Sequence, residues 1–140
     1  MAIKMRVLYA SSKAKVANMA NMIKEEYGLS FNAVDKIPPA YSCDKERIVI
    51  LMLSLKGDPD NQLRLFVQEL NKTRAQNVAL VIDGSEAAAN GIKEILKTAG
   101  TNVIDEVLYI KGGLPFLKGV KPEEKEALLA FTHRVVENLQ

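Results

Sequence analysis

Three short stretches hold the residue types from which a binding site can be built. The first lies in VLYASSKAKVANMA, residues 7–20, where an apolar strand runs into a polar loop and then a helix. Its loop reads Ser11, Ser12, Lys13, Ala14, Lys15, Val16. Two hydroxyls, two ammonium groups and the unpaired N–H groups of a helix start are donors that suit a phosphate. The same residues have a plainer use, in which Ser11 or Ser12 caps the helix and both lysines stay in water. The second stretch is SLKGDPDN, residues 54–61. Leu55, Lys56 and Gly57 can edge a ligand, or the stretch is a strand-to-helix turn with Asp58 or Asp60 as its cap. The third is DGSEAAAN, residues 83–90. Asp83, Gly84 and Ser85 can hydrogen-bond a polar ligand, and Ser85 can equally cap the next helix.

Other chemistry finds few residues to use. His133 is the single histidine and Cys43 the single cysteine. Neither has the partners that a metal site needs. No Gly-x-Ser-x-Gly occurs, so a nucleophile elbow is absent. The carboxylates form no evident acid–base pair. We therefore expect no catalytic residue and no metal. His133 is expected on the surface of the last helix, and Cys43 as a passive thiol.

Composition bounds the class. The chain has 140 residues, 48% hydrophobic and 26% charged, the mix of a soluble globular protein. That length suits one domain, 1–140, with a sizeable core. Nineteen basic and 17 acidic residues give a net charge of +2 and form no basic block, which argues against nucleic-acid binding. The longest apolar run is IVILML, residues 48–53, far short of the roughly 20 residues of a membrane helix. The N-terminal MAIKMRVLYA enters a strand directly, without the pattern of a signal peptide. The expectation is a cytoplasmic chain without membrane or nucleic-acid partners.

Periodicity supplies the elements that position the three stretches. Residues 5–10, 47–55, 77–82 and 103–110 read as apolar strands, and 29–34 as a weaker one. Residues 15–27, 62–74, 86–99 and 122–139 repeat apolar side chains at three- and four-residue steps and read as helices. Gly28 and Gly100 mark helix stops, and Pro38-Pro39 marks a loop over 37–44. The order β-α-β-β-α-β-α-β-α, with continuously apolar central strands, predicts an α/β three-layer doubly wound sandwich with a parallel sheet. Ligands in such sheets bind beyond the carboxyl ends of the strands. All three stretches fall there, and the loop over 111–120 is expected further out.

The element order, the length and the first loop together resemble the short-chain flavodoxins. In that family an opening strand leads into a [Ser/Thr]-x-Thr-Gly-x-Thr loop around the phosphate of FMN, and residues 7–20 are similar to that segment. GDPDNQLRLFVQEL, residues 57–70, resembles the start of the family's third helix. NVALVIDGS, residues 77–85, resembles its fourth strand and the loop that follows. Residues 107–128 are similar to its last strand, Gly-rich loop and closing helix. The resemblance implies a five-stranded parallel sheet of order 2-1-3-4-5, an FMN cofactor, and electron transfer to a redox partner protein. It places Ser11, Ser12, Lys13, Ala14, Lys15 and Val16 around the phosphate. It places Leu55, Lys56, Gly57, Asp83, Gly84 and Ser85 at the ring edge, with Ala87, Ala88 and Ala89 as further lining.

The loop departs from the family pattern. Ser11 matches the first hydroxyl, but Lys13 stands for the motif's Thr, Ala14 for its Gly and Val16 for its last Thr. A positive φ at Ala14 would cost about 1–2 kcal/mol. Lys13 and Lys15 are the candidates to replace the lost hydroxyls. The stretches 54–61 and 83–90 hold no aromatic residue to flank a flavin ring. The alternative is a flavodoxin-fold chain that has lost the flavin and serves as a ligand-binding or protein-interaction domain, with a homodimer as one form. Receiver domains share the strand order, but the positions of their acidic pair and phosphoacceptor read Ala10-Ser11-Ser12 and Leu53-Ser54 here.

Overall fold

The computed structural model describes residues 3–139. Branched and long apolar residues dominate β3 (Ile48–Ser54) and β4 (Asn77–Asp83), and in each strand all but the last residue is buried. Strands of this kind admit water on neither face, so helices must cover both. β1 (Met5–Ala10) lies beside β3, in register from Met5 opposite Ile48 to Ala10 opposite Leu53. β2 (Val34–Lys36) pairs with the other edge of β1, and β5 (Asn102–Tyr109) with the outer edge of β4. All pairs are parallel and the order is β2-β1-β3-β4-β5. This is the α/β doubly wound architecture expected from the sequence, with the strand order that the resemblance implies.

The two-residue period of a strand divides the core. Ile48, Ile50 and Met52 of β3 pack with Val16, Met19 and Ile23 of α1 (Ala14–Tyr27) and with Phe131 of α4 (Pro122–Glu137). Val49, Leu51 and Leu53 face the other way, onto Leu63 and Val67 of α2 (Asn61–Gln68) and Ile92 and Leu96 of α3 (Glu86–Ala99). Among the described residues, no helix is long and apolar enough to cross a membrane.

Two elements differ from expectation. The strand expected over 29–34 is displaced: Phe31–Ala33 form a 3-10 turn, and pairing begins only at Val34, opposite Val7. The cause is local hydrogen bonding. The Ala33 N–H donates to the Ser30 carbonyl at 3.0 Å and the Ser30 hydroxyl to Asn32 Oδ1 at 2.6 Å, which draws the backbone out of the ladder. The helix expected over 62–74 stops at Gln68. Beyond it, Asn71 Oδ1 accepts the Arg74 N–H at 3.0 Å, and a side chain that takes a backbone donor favours a turn over helix.

Candidate functional site

β1 and β3 are neighbours, but their connections leave the sheet for opposite faces, to α1 and to α2. A crevice forms where chain order reverses in this way. A cleft of about 930 Å³ opens there, within the range of roughly 300–1,000 Å³ typical of small-molecule sites. Ala10 to Lys13, Ser54 to Lys56 and Asp58 to Asp60 form much of its wall, with Leu63 at the start of α2. Ile37 joins from beyond β2, Asp83 and Gly84 from β4, and Gly113 to Pro115 from beyond β5.

The sheet register delivers the polar floor. Ser54 and Asp83 are direct partners across β3 and β4, and Ser11 follows Ala10, the partner of Leu53. The Ser54 hydroxyl donates to Asp83 Oδ2 at 2.9 Å, and Ser11 Oγ lies 2.7 Å from Ser54 Oγ. Ser54 gives its proton to Asp83, which leaves Ser11 as the donor between the two hydroxyls. Ser11 Oγ in turn accepts the Lys13 N–H at 3.1 Å. The Lys13 ammonium reaches across to Asp83 Oδ2 at 2.6 Å. Burial pushes the Asp83 carboxyl up, but hydrogen bonds from Lys13, the Gly112 amide and Ser54, with the charge of Lys13, outweigh it and hold the group below the ordinary aspartate range.

The loop over 111–120 does not lie further out, as expected from the sequence. It folds back as a strap over the first loop. The Ala14 N–H donates to the Pro115 carbonyl at 3.0 Å, and the Asn18 amide to the Lys118 carbonyl at 2.8 Å. Gly112 sits so close that a Cβ there would fall 2.4 Å from Asp83 Oδ2. On the far side of the cleft the Leu55 N–H donates to the Asp83 carbonyl at 2.9 Å. A Cβ on Gly84 would press to 2.8 Å on the Leu55 carbonyl, so that crossing also requires glycine.

Ser11, Ser12, Lys13, Leu55, Lys56, Asp83 and Gly84 line the cleft together. Ala14, Lys15, Val16, Gly57 and Ser85 lie outside its lining. Val16 is fully buried in the core beneath α1. Lys15 pairs with Glu124 of α4, which holds the Glu124 carboxyl below its ordinary range. Ser85 caps α3 by accepting the Ala88 N–H at 3.1 Å, and Asp60 caps α2 in the same way. Ala14 opens α1, and the positive φ weighed for it is not found: among the described residues Lys45 is the one non-glycine with φ above zero. Ala88 and Ala89 are buried against the sheet, and the stretch 87–89 is no part of the lining.

Ile37, Ser54 and the segment from Gly112 to Pro115 belong to the site without standing out in the sequence. Ser54 carried a usable signal: it is the polar terminus of an apolar strand, as Asp83 is of the next. The strap carried none, because its place depends on contacts with a loop about one hundred residues earlier in the chain. Away from the cleft, His133 is exposed, with Glu26 Oε2 at 2.7 Å and the Tyr27 hydroxyl at 3.0 Å. Cys43 is buried, and burial pushes its thiol up.

No protein-family model matches the chain, and no curated protein matches it at a significant level. Solved structures do. An oxidised flavodoxin 1 from Bacillus cereus superposes with a TM-score of 0.62 at 19% identity, covering 97% of this chain and 99% of that one. A flavodoxin from the domain Archaea gives 0.63 at 15% identity, covering 96% and 97%. The fold is that of the flavodoxins. Within this flavodoxin fold, however, several donors of the loop after β1 are engaged. The N–H groups of Lys13, Ala14 and Val16 bond to Ser11, Pro115 and Lys13 of the chain itself. The ammonium groups of Lys13 and Lys15 are paired with carboxylates. No aromatic side chain is among the residues of the cleft wall. This arrangement leaves fewer free donors for a phosphate than the sequence of the loop offers.

Proposed function

We propose that the chain is a flavodoxin-fold binding domain that works through the cleft at the carboxyl edge of its sheet, and that it is not an ordinary FMN electron carrier. One observation carries the reading: both lysines of the first loop, and the N–H groups of Lys13, Ala14 and Val16, already bond within the protein. What remains open to a ligand is Ile37, Leu55, Leu63, Leu114 and Pro115, with Ser12, Lys56 and Asp58 beside them, around the Ser11–Ser54–Asp83 floor. An apolar wall with a few convergent polar groups suits a small organic ligand. The likeness to an oxidised flavodoxin and the size of the cleft favour a second reading, FMN-dependent electron transfer with a redox partner.

Flavin fluorescence separates the two. The purified chain is expected to be colourless and to leave FMN emission unquenched up to high micromolar concentrations. A yellow protein, or saturable quenching at low micromolar FMN, would replace the first reading with the second.

A further inference from the structure

Three donors of different kinds converge on one carboxylate. The Lys13 ammonium lies 2.6 Å and the Ser54 hydroxyl 2.9 Å from Asp83 Oδ2, and the Gly112 amide also donates to Asp83. An ammonium, a hydroxyl and a backbone N–H are donors of the kind that proteins present to anions. The sheet itself brings the carboxylate there, because Asp83 is the register partner of Ser54. The strap is shaped to the pair. A Cβ on Gly112 would lie 2.4 Å from Asp83 Oδ2 and 2.5 Å from Lys13 Cδ, so a larger residue would push the ion pair apart.

We propose that Asp83 is the built-in anion of this loop: its carboxylate occupies the donors that would otherwise take a ligand phosphate, and the cleft therefore selects ligands that bring no strong anion to that end. The inference rests on the reading of the cleft as a ligand site and names the class of ligand it takes. An incoming phosphate would meet a like charge whose lysine is already engaged. Asp83 sets the specificity, and Lys13 and Gly112 are positioning residues that hold it.

The test is a titration of the ¹⁵N-labelled full chain with inorganic phosphate, following the amide signals of residues 11–16 and 112–114. The wild-type chain is expected to show no saturable shift at millimolar phosphate. Asp83→Asn keeps the shape and removes the charge. It is expected to produce saturable shifts at those amides, lost again when Lys13→Met is added. If Asp83→Asn does not fold, Asp83→Ser decides, since it also removes the charge and frees the Lys13 ammonium. Saturable wild-type binding overturns the inference, as does silence from the deciding variant. A parallel titration with FMN and riboflavin keeps this result apart from the proposed function. Equal binding of both would sink the proposed function and leave the inference standing. FMN much tighter than riboflavin would sink both.

Discussion

Lys13 and Asp83 are separated by seventy positions, yet their side chains meet at 2.6 Å with 23% and 15% of each exposed. A pair this sheltered counts for more than one in open water, and the hydroxyl of Ser54 and the amide of Gly112 complete its hydrogen bonding. Lys13→Met is expected to lower stability by about 1–2 kcal/mol at neutral pH, measured by urea unfolding. The effect has a defined pH dependence. Folding makes Asp83 the stronger acid, so the unfolded chain takes up that proton first as pH falls. The stabilisation is complete above the ordinary aspartate value and fades as pH drops through the lower, folded one. The difference between wild type and Lys13→Met should therefore shrink in acid. A constant difference from neutral pH down to the acid limb would show that the pair does not hold Asp83 in its charged form.

The elements that frame the cleft start and stop for short-range reasons. α2 and α3 each begin with a side-chain cap, Asp60 Oδ1 on the Leu63 N–H at 2.8 Å and Ser85 Oγ on the Ala88 N–H at 3.1 Å. Replacing either cap by alanine is expected to cost about 1 kcal/mol in the same unfolding experiment. Losses near zero would mean that water or a neighbouring carboxylate caps the helix as well. β2 differs in kind. It has three residues, pairs on one side only and leaves its other edge unpaired among the described strands. Its amides should exchange with solvent fastest of the five strands, and those of β3 and β4 slowest. Protection of Val34–Lys36 equal to that of Ile48–Ser54 would contradict this ranking. The same marginal strand is where sequence and structure part. The Ser30–Asn32 turn displaces it, and a weak pairing partner offers little to resist a local hydrogen bond.

At the scale of the molecule, the central strand joins two cores that share no side chain. Ile50 belongs to the one beneath α1 and α4, Leu51 to the one beneath α2 and α3, and both are fully buried. Ile50→Ala and Leu51→Ala are each expected to destabilise by about 2–5 kcal/mol, read from denaturant midpoints. A loss below about 1 kcal/mol at either would mean that its face repacks freely. Much of this architecture was legible in the chain. IVILML and NVALVI read as strands covered on both faces, and VANMANMI as a helix with one apolar stripe. Ser85, and Asp60 as one of two candidates with Asp58, were legible as caps, because a cap is made by residues three positions apart. The amino-acid sequence by itself thus determined the layers, the approximate element bounds and the edge at which the cleft opens. Those depend on periodicity and on contacts a few residues long. Only the tertiary structure decided what the first loop does. Ser11, Lys13, Ala14 and Lys15 read as free donors until Ser54, Asp83, Pro115 and Glu124 arrive from other parts of the chain to engage them. A donor is defined by its partner, and across separations of 43 to 109 residues the partner is chosen by the packing of the sheet and its covering helices.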